Sequence, residues 1–398
     1  MDTLAELRGV IRRIERARPR RPAPEPVARV VGGEVLETAE GPIVRVRQAF
    51  PWSHRHGRCP LAGGTGLSPD VLALLSPREA RLPEGRPLLF LDTETTGLAG
   101  GTGTYAFLVG VGLVERDAIV VEQYFMRDFD EEPALLAALA PHLTEASAVV
   151  TFNGTGFDLP LLETRFVLGR RRWPDLVHVD LLAPARRVWS GALGDCRLPT
   201  LERDVLGVLR EDDVPGWEIP SRFFAYLRDR QAGRLQPIFA HNRDDVLSLV
   251  ALLGWFTQAL AAEPPRLGPD ELAGLGRLWE RVDAERSAAY YHAALDAGLV
   301  GPGAHWVRLR LAWWEKRRAR WEIARALWEA ATRAEAFDPR PWEELAKFHE
   351  HRRRDVAAAR DLVRAALDLA QNARASARVV DAFVYRLARL QRRLDRGT

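Results

Sequence analysis

The sequence predicts an α/β domain with a mixed five-stranded sheet flanked by helices, followed by an all-helical domain. Between residues 85 and 262, three strand-like runs come in a row, and helix-like and strand-like segments then alternate. After residue 270 only helical patterns remain. With 398 residues and 47% apolar composition, the chain is long enough for two or three domains that each bury a hydrophobic core.

Proline and glycine pairs between residues 264 and 269 mark the boundary between the α/β and helical parts. Two segments with different compositions precede the α/β pattern: a basic stretch, followed by an apolar stretch interrupted by glycines. The predicted segments are a basic N-terminal arm (1–27), a β-rich extension (28–84), the α/β domain (85–262) and a helical-repeat domain (268–398).

Hydrophobic periodicity places the individual elements. The arm contains a short amphipathic helix over residues 2–17, and the extension contains strands at Val27–Thr38 and Pro42–Val46. In the α/β domain, strands are expected at Leu88–Asp92, Tyr105–Val114, Ala118–Phe125, Val149–Phe152 and Val177–Leu181. Helices are expected at Glu132–His142, Leu159–Leu168, Thr200–Leu206, Ser221–Ala232 and Ile238–Leu260.

The helical part contains a weak internal repeat. Residues 311–331 align with residues 345–366, and Trp306 and Trp342 head the two units. A period of about 35 residues resembles that of tetratricopeptide-type helical hairpins, which stack into a concave interaction surface. A tetratricopeptide-like domain would offer a binding surface for a protein partner.

The net charge of +3 is unevenly distributed: the middle of the chain is acidic and both flanks are basic. Clusters at residues 170–172 and 186–187 are candidate phosphate contacts, or else arginines in solvated loops. Cys59 and Cys196 are the only cysteines, so a disulfide framework is excluded and a reducing, cytoplasmic setting is expected. A secretory signal and a membrane span are not expected, because no long uninterrupted apolar run occurs.

Asp92 and Glu94 end an apolar run of strand length and are two residues apart. Alternation along a strand directs both carboxylates to one face, where they repel each other and lose hydration. A hard divalent cation with oxygen ligands would relieve that cost. The alternative is a pair of carboxylates solvated at a strand-to-loop junction.

Two further acidic segments follow. Asp158 comes after a short apolar run and a glycine-rich turn and opens a predicted helix, where it could also serve as an N-terminal capping acid. His241 and Asp245 are four residues apart in a strongly helical stretch and share one face, either as part of a site or as a local surface pair. Asp244 is rotated about 100° away from Asp245 on that helix.

The ordered set of Asp92, Glu94, Asp158 and Asp245 resembles that of the DEDD 3′→5′ exonucleases of the RNase H-like superfamily. The segment DTETTGL at residues 92–98 is close to the first motif of the DnaQ-type enzymes, and residues 153–160 resemble the second motif of B-type polymerase exonuclease domains. The continuation over residues 99–110 resembles the YprB-type branch. The resemblance covers residues 85–262 and implies an RNase H-like fold.

The resemblance implies a metal-dependent phosphodiester hydrolase that acts on single-stranded or frayed DNA or RNA. The four acids would hold two Mg²⁺ or Mn²⁺ ions, and His241 would orient or deprotonate the attacking water. The family uses tyrosine with three intervening residues or histidine with four, whereas this chain combines histidine with the tyrosine-type spacing. The role of His241 is therefore less firmly implied than that of the acids.

The same resemblance makes Thr95, Asn153 and Phe157 candidate substrate-binding residues. Asn153 would either contact the nucleotide or only brace its turn, and Asp180 would either support the site or cap a helix. Two other functions stay open: a structure-selective endonuclease, and a catalytically silent nucleic-acid-binding scaffold. The acids argue against the scaffold, because clustered carboxylates without a use destabilise a protein.

Overall fold

The computed structural model of the protein describes residues 26–76, 82–97, 103–261 and 266–396. Most of the predicted N-terminal arm, including its helix, lies outside these residues, and so do residues 98–102 of the glycine-rich stretch. The chain forms two compact units. The described residues within 1–185 and 195–261 form the first unit, and those within 186–194 and 262–398 form the second.

The first unit is built on a sheet of seven strands within the described residues. The strands of this unit are β1 (Glu34–Thr38), β2 (Gly41–Pro51), β3 (Arg55–His56), β4 (Cys59–Pro60), β5 (Leu88–Thr95), β6 (Ala106–Val114), β7 (Ala118–Phe125), β8 (Ala148–Thr151) and β9 (His178–Asp180). The sheet has the order β1-β2-β7-β6-β5-β8-β9, whereas β3 and β4 form a separate short hairpin.

The predicted mixed sheet is confirmed, but it has seven strands rather than five. The two additional strands, β1 and β2, come from the predicted β-rich extension, and β2 pairs antiparallel with β7 along most of its length. Strands β5, β6 and β7 are also antiparallel, and β8 and β9 continue the sheet in parallel with β5. The extension therefore contributes β1 and β2 to the main sheet, and it also contains the separate β3-β4 hairpin.

Helices of the first unit surround this sheet. They are α1 (Val27–Val30), α2 (Pro69–Leu75), α3 (Glu132–Glu145), α4 (Asp158–Leu168), the first residues of α5 (Leu182–Trp189), α6 (Leu198–Leu201), α7 (Ile219–Asp229) and α8 (Gln236–Ala259). The expected strand at residues 27–38 was wrong in its first part, because the carbonyl of Pro26 accepts the amides of Arg29 and Val30 and closes a helical turn. The helix expected at residues 200–206 is α6 followed by a π-helical segment, Glu202–Leu206.

The core of the first unit lies between the sheet and the helices. Phe107 on β6 and Phe223 on α7 stack with their ring centroids 4.0 Å apart, and both side chains are fully buried. Helix α8 packs against β5, β6 and β7. A turn at residues 61–64 packs on the same helix so closely that a Cβ atom on Gly64 would lie 2.5 Å from the Val250 carbonyl oxygen. Helix α8 is thereby held between the sheet and this turn.

The second unit is helical, as predicted. Its helices after residue 266 are α9 (Pro269–Trp279), α10 (Ala284–Asp296), α11 (Gly301–Arg317), α12 (Trp321–Ala331), α13 (Pro339–Phe348), α14 (Val356–Asn372) and α15 (Ala377–Asp395). The side chains of Asp283, Asp338 and Asp355 cap the N-termini of α10, α13 and α14. The relation to tetratricopeptide repeats and the predicted domain boundaries stay predictions.

Residues 186–194 belong to the second unit because α9 packs closely on them. A Cβ atom on Gly274 would lie 2.4 Å from the Cα atom of Val188, so only glycine permits this approach. Among the described residues, none of the helices is sufficiently long and apolar to cross a bilayer.

Candidate active site

Strand β5 carries Asp92 and Glu94 on one face, as alternation along a strand requires. The strand pairs with β6 on one side and with β8 on the other, so it lies inside the sheet rather than at an edge. Leu88–Leu91 are buried and apolar, which explains why this segment forms an interior strand. Glu94 is also buried, with 8% of its surface exposed.

The turn between β8 and α4 positions Asp158. The carboxylate of Asp180 accepts hydrogen bonds from the backbone amides of Asn153 (2.8 Å) and Thr155 (3.0 Å) in this turn, and from the amide of Leu182 at the start of α5 (3.0 Å). Asp180 therefore braces the turn and caps a helix at the same time. Asn153 has a φ of +67°, a left-handed conformation that asparagine tolerates better than most residues.

Asp158 is the first residue of α4 and is buried. Its Oδ1 atom accepts a hydrogen bond of 2.5 Å from the hydroxyl of Thr93. Thr93 lies between the two acids of β5, so the same strand supplies two carboxylates and also holds the third. This contact links α4 directly to the central strand.

Helix α8 contributes Asn242 in addition to the predicted His241 and Asp245. The side chain of Asn242 is completely buried, and its Nδ2 atom donates to Oδ2 of Asp92 at 2.8 Å. Its Oδ1 atom accepts from Nε2 of Gln123 on β7 at 2.9 Å. A Cβ atom on Gly110 of β6 would lie 2.2 Å from Oδ1 of Asn242, so the glycine makes room for this amide. Two buried amides thus fix the orientation of Asp92.

Arg210 supplies the main positive charge beside Asp245. Its Nη2 atom pairs with the carboxylates of both Asp245 and Glu202. Its Nη1 atom donates to the carbonyl oxygen of His241 and to Asp213, each at 3.4 Å. Only 9% of the arginine side chain is exposed, so the charge is shielded from solvent.

His241 faces two carboxylates. Its Nδ1 atom lies 2.7 Å from Oδ1 of Asp213, and its Nε2 atom lies 3.6 Å from Oδ2 of Asp245. Burial lowers the pKa of this imidazole, but the hydrogen bond to Asp213 and the charges of Asp245 and Glu94 outweigh that effect and raise it to about 10. The imidazole is therefore protonated at neutral pH in the metal-free protein.

The acids of the site influence one another strongly. Burial raises the pKa of Asp92 well above its usual range, and the charges of Asp245, Glu94 and Asp158 raise it further. Burial raises the pKa of Glu94 to about 8, against the opposing charge of His241. Burial also raises the pKa of Asp158 to about 6, despite the hydrogen bond from Thr93. The structure therefore brings the four predicted acids within mutual electrostatic reach.

Within the described part of the chain, no three His, Cys, Asp or Glu side chains stand in an arrangement that could hold a metal ion. Asp92, Asp158 and Asp245 are each hydrogen-bonded or ion-paired to a protein group. The donor set nevertheless has the chemistry of a hard-cation site, since it offers only carboxylate oxygens. Burial raises the pKa values of these acids and neighbouring carboxylates raise them further, so a divalent cation among them would relieve a cost that the residues carry.

The three predicted substrate-binding residues differ in their availability. Thr95 is buried, and its hydroxyl donates to the carbonyl of Gly97 at 2.9 Å. Asn153 is exposed and Phe157 is half-buried, on the turn that precedes Asp158. Their roles toward a substrate stay predictions. Asp244, predicted to face away from Asp245, is ion-paired with its neighbour Arg243.

The sequence interpretation missed Asn242, Gln123, Arg210 and Asp213. Gln123 carried a usable signal, since it is a polar residue within the apolar strand β7 and is 2% exposed. A polar side chain at such a position must find a buried hydrogen-bonding partner. Arg210 and Asp213 carried no comparable signal, because a loop rich in charged residues usually indicates solvent exposure.

Residues 89–257 match the family model described as the RNase_H superfamily. That range contains the four acids and strands β5 to β9, in the order β7-β6-β5-β8-β9. The fold of this unit is RNase H-like.

A similar protein is the Bacillus subtilis (strain 168) "Uncharacterized protein YprB", which is 34% identical to this chain over 226 residues. The aligned region covers 54% of this chain and 53% of the relative, so the chain spans about half the length of the curated relative that it matches. The match supports the RNase H-like fold of this region.

Replacing Glu94 by glutamine should change the pH dependence of stability. The pKa of Glu94 is raised on folding from 4.5 to about 8, so its contribution to stability is fully present below pH 4.5 and lost as the pH rises to about 8. In EDTA, Glu94→Gln should therefore melt close to the wild type at pH 5 and several degrees higher at pH 8. A melting difference that is the same at both pH values would contradict the raised pKa of the buried Glu94.

Gly110→Ala and Asn242→Ala should each destabilise the protein but should not be additive. The first variant forces a methyl group against the Asn242 amide, and the second removes the donor to Asp92 and one of the two acceptors of Gln123, each at a cost of about 1–3 kcal/mol. In the double variant the methyl group occupies the vacated space, so the combined loss should be smaller than the sum. Urea unfolding of all four proteins measures the coupling, and strict additivity would refute the contact.

Proposed function

We propose that the protein is a metal-dependent nuclease that removes nucleotides from the 3′ end of single-stranded or frayed DNA or RNA. The observation that carries this proposal is the mutual electrostatic interaction of Asp92, Glu94, Asp158 and Asp245 on an RNase H-like fold. The acids come from β5, α4 and α8, so the folding of the sheet unit itself assembles them.

In this proposal the four carboxylates hold two divalent cations, Mg²⁺ or Mn²⁺. Bound cations supply Lewis-acid activation of water and stabilise charge on the leaving oxygen and the phosphate. The hydrogen bonds from Asn242 and Thr93 hold Asp92 and Asp158 in fixed rotamers, so part of the donor set is oriented in advance.

Arg210 neutralises Asp245 in the metal-free protein. Its guanidinium is bound to Asp245 and Glu202 at once, so it could keep its pairing with Glu202 after releasing Asp245. Release of Asp245 would free that carboxylate for a cation, and Arg210 would remain beside the site. A cation at Asp245 therefore competes with an internal ion pair, which lowers the affinity of the site for the metal.

His241 is proposed to handle the proton of the attacking water. Asp213 engages Nδ1 and leaves Nε2 directed toward Asp245 and the site. Extra positive charge at the acids would lower the pKa of His241 from about 10 toward neutrality, where an imidazole can accept a proton. The contact with Asp213 then fixes the orientation of the ring, as an orienting carboxylate does for other catalytic histidines.

A structure-selective endonuclease is the second candidate, because the same acids serve both reactions. A catalytically silent scaffold is the third. The buried carboxylates of Asp92 and Glu94 argue against it, since raised pKa values cost stability that a purely structural role would not require.

Digestion of an oligonucleotide labelled at its 5′ end separates the three functions. In Mg²⁺ or Mn²⁺ the wild type should give a ladder that shortens from the 3′ end, and EDTA should abolish it. Asp92→Asn, Glu94→Gln, Asp158→Asn and Asp245→Asn should each reduce cleavage to background, because each removes an ionised oxygen ligand. Asp244→Asn is the matched control and should cleave like the wild type. Internal cuts would favour the endonuclease, and no cleavage by the wild type would favour the scaffold.

His241→Ala should reduce the single-turnover rate by about 10²–10⁴-fold, the usual contribution of a general base. Binding of Mn²⁺, measured by calorimetry, should change little because the four acids remain. Asp244→Ala should affect neither quantity, since its carboxylate pairs with Arg243. If Asp244→Ala were the more damaging change, the assignment of His241 would be wrong.

A further inference from the structure

The helical unit contains a row of three cavities beside α11. A cavity of about 660 Å³ and one of about 440 Å³ share Lys316 and Glu344 in their walls. The second cavity shares Arg310 and Trp313 with a third, small cavity. These common residues make the three cavities neighbours along α11, and together they are called the helical groove below.

The larger end of the helical groove is basic. Among its described lining residues, Glu344 is the one carboxylate, whereas Lys or Arg side chains line it at positions 316, 347, 352, 386 and 389. Lys316 and Lys347 are the only lysines in the chain, and both bind Glu344. Arg389 also pairs with the buried Glu350, and His351 adds a further titratable group to the wall. The excess of positive charge calls for an anionic ligand.

One cation in this wall is incompletely satisfied. The Nη1 atom of Arg386 is buried, and among the described residues it has no hydrogen-bonding partner. A buried donor without a partner costs free energy, and a bound anion that accepts from it would recover that cost. Arg386 therefore places a guanidinium with unused donor capacity in the wall of the groove.

Aromatic rings alternate with the cations along the helical groove. Tyr385 is 69% exposed and Trp313 is 49% exposed, which is unusual for such large side chains. The guanidinium of Arg352 lies 4.1 Å above the ring of Trp321. Arg310 lies 5.6 Å from the ring centroid of Trp313. Planar, partly exposed surfaces and positive charges therefore follow one another over the length of the groove.

We propose that the helical groove binds single-stranded nucleic acid, with phosphates against the Lys and Arg side chains and bases stacked on Tyr385 and Trp313. Single strands are recognised by this combination of a basic channel with aromatic stacking surfaces. An acidic protein segment would use the charges and leave the rings unoccupied, and a duplex would keep its base faces covered. The groove would extend the proposed nuclease function, but binding at it does not depend on cleavage.

Fluorescence anisotropy of the full-length protein in EDTA tests the proposal. The probe is a labelled single-stranded oligodeoxythymidylate of about 20 nucleotides, long enough to span a binding channel. The double variant Arg352→Gln/Arg386→Gln should bind about tenfold or more weakly, and the slope of log affinity against log salt should fall by about 1.4. The matched control Arg364→Gln/Arg378→Gln removes the same charge from exposed residues outside the groove and should retain the wild-type slope.

Tyr385→Ser tests stacking with an exposed residue, so the fold should be retained. Its affinity for the oligonucleotide should fall about five- to one-hundredfold, while an abasic strand of equal length should bind the variant and the wild type equally. Equal losses in the groove and control double variants would overturn the proposal. The proposal would also be overturned if the wild type bound the abasic strand as tightly as the base-bearing strand. Binding of a poly-glutamate peptide as tightly as the oligonucleotide would overturn it as well. These results do not involve cleavage, so they are independent of the proposed catalytic activity.

Discussion

The burial of negative charge beside strand β5 is the constraint on which the RNase H-like unit depends. Each carboxylate there has lost water and is repelled by its neighbours, as the raised pKa values of Asp92, Glu94 and Asp158 show. Neutral hydrogen-bond donors offset part of the lost hydration: an amide from α8 donates to Asp92, and a hydroxyl from β5 donates to Asp158. The sheet, the turn after β8 and helix α8 must all be in place before these donors are available.

The remaining buried negative charge is offset by a network of charged and hydrogen-bonded side chains, which extends into the N-terminal part of the unit. Burial lowers the pKa of Arg210, but Asp245 and Glu202 raise it overall, so the guanidinium stays charged. Glu202 also accepts from the hydroxyl of Ser248, which lies 2.7 Å from Nε2 of His56. Burial lowers the pKa of His56 to about 4, so this histidine contributes a neutral hydrogen bond. Residues that precede the RNase H-like region thus support the same helix that carries Asp245.

The parts of this architecture that local sequence determines could be predicted. The apolar run before Asp92, the glycine-rich turn before Asp158 and the periodicity around Asp245 are short-range patterns, and each led to the correct type of element. Strands β1 and β2 were expected, but their pairing with β7 was not, because pairing between distant strands leaves no local pattern. Val27–Val30 was misread as extended because a short valine-rich segment favours both structures.

The supporting residues of the site could not be predicted for a related reason. Arg210 and Asp213 lie in a loop whose composition resembles that of a solvated turn, and only the fold buries the arginine against Asp245. The function of Asn242 depends on the absence of a side chain at Gly110, more than a hundred positions earlier in the sequence. Such pairs become visible only when the distances between side chains are known.

The two amides that join β7 to Asp92 form a chain with one direction. Gln123 donates to Asn242, and Asn242 donates to Asp92, so every link passes a hydrogen toward the carboxylate. Gln123 also donates to the carbonyl of Phe239, and a flip of its amide would lose that hydrogen bond. Rotation of either amide by half a turn would place two oxygens or two NH₂ groups face to face. The interior of the sheet unit therefore presents a hydrogen-bond donor at Asp92, and it thereby favours the ionised oxygen over the protonated one.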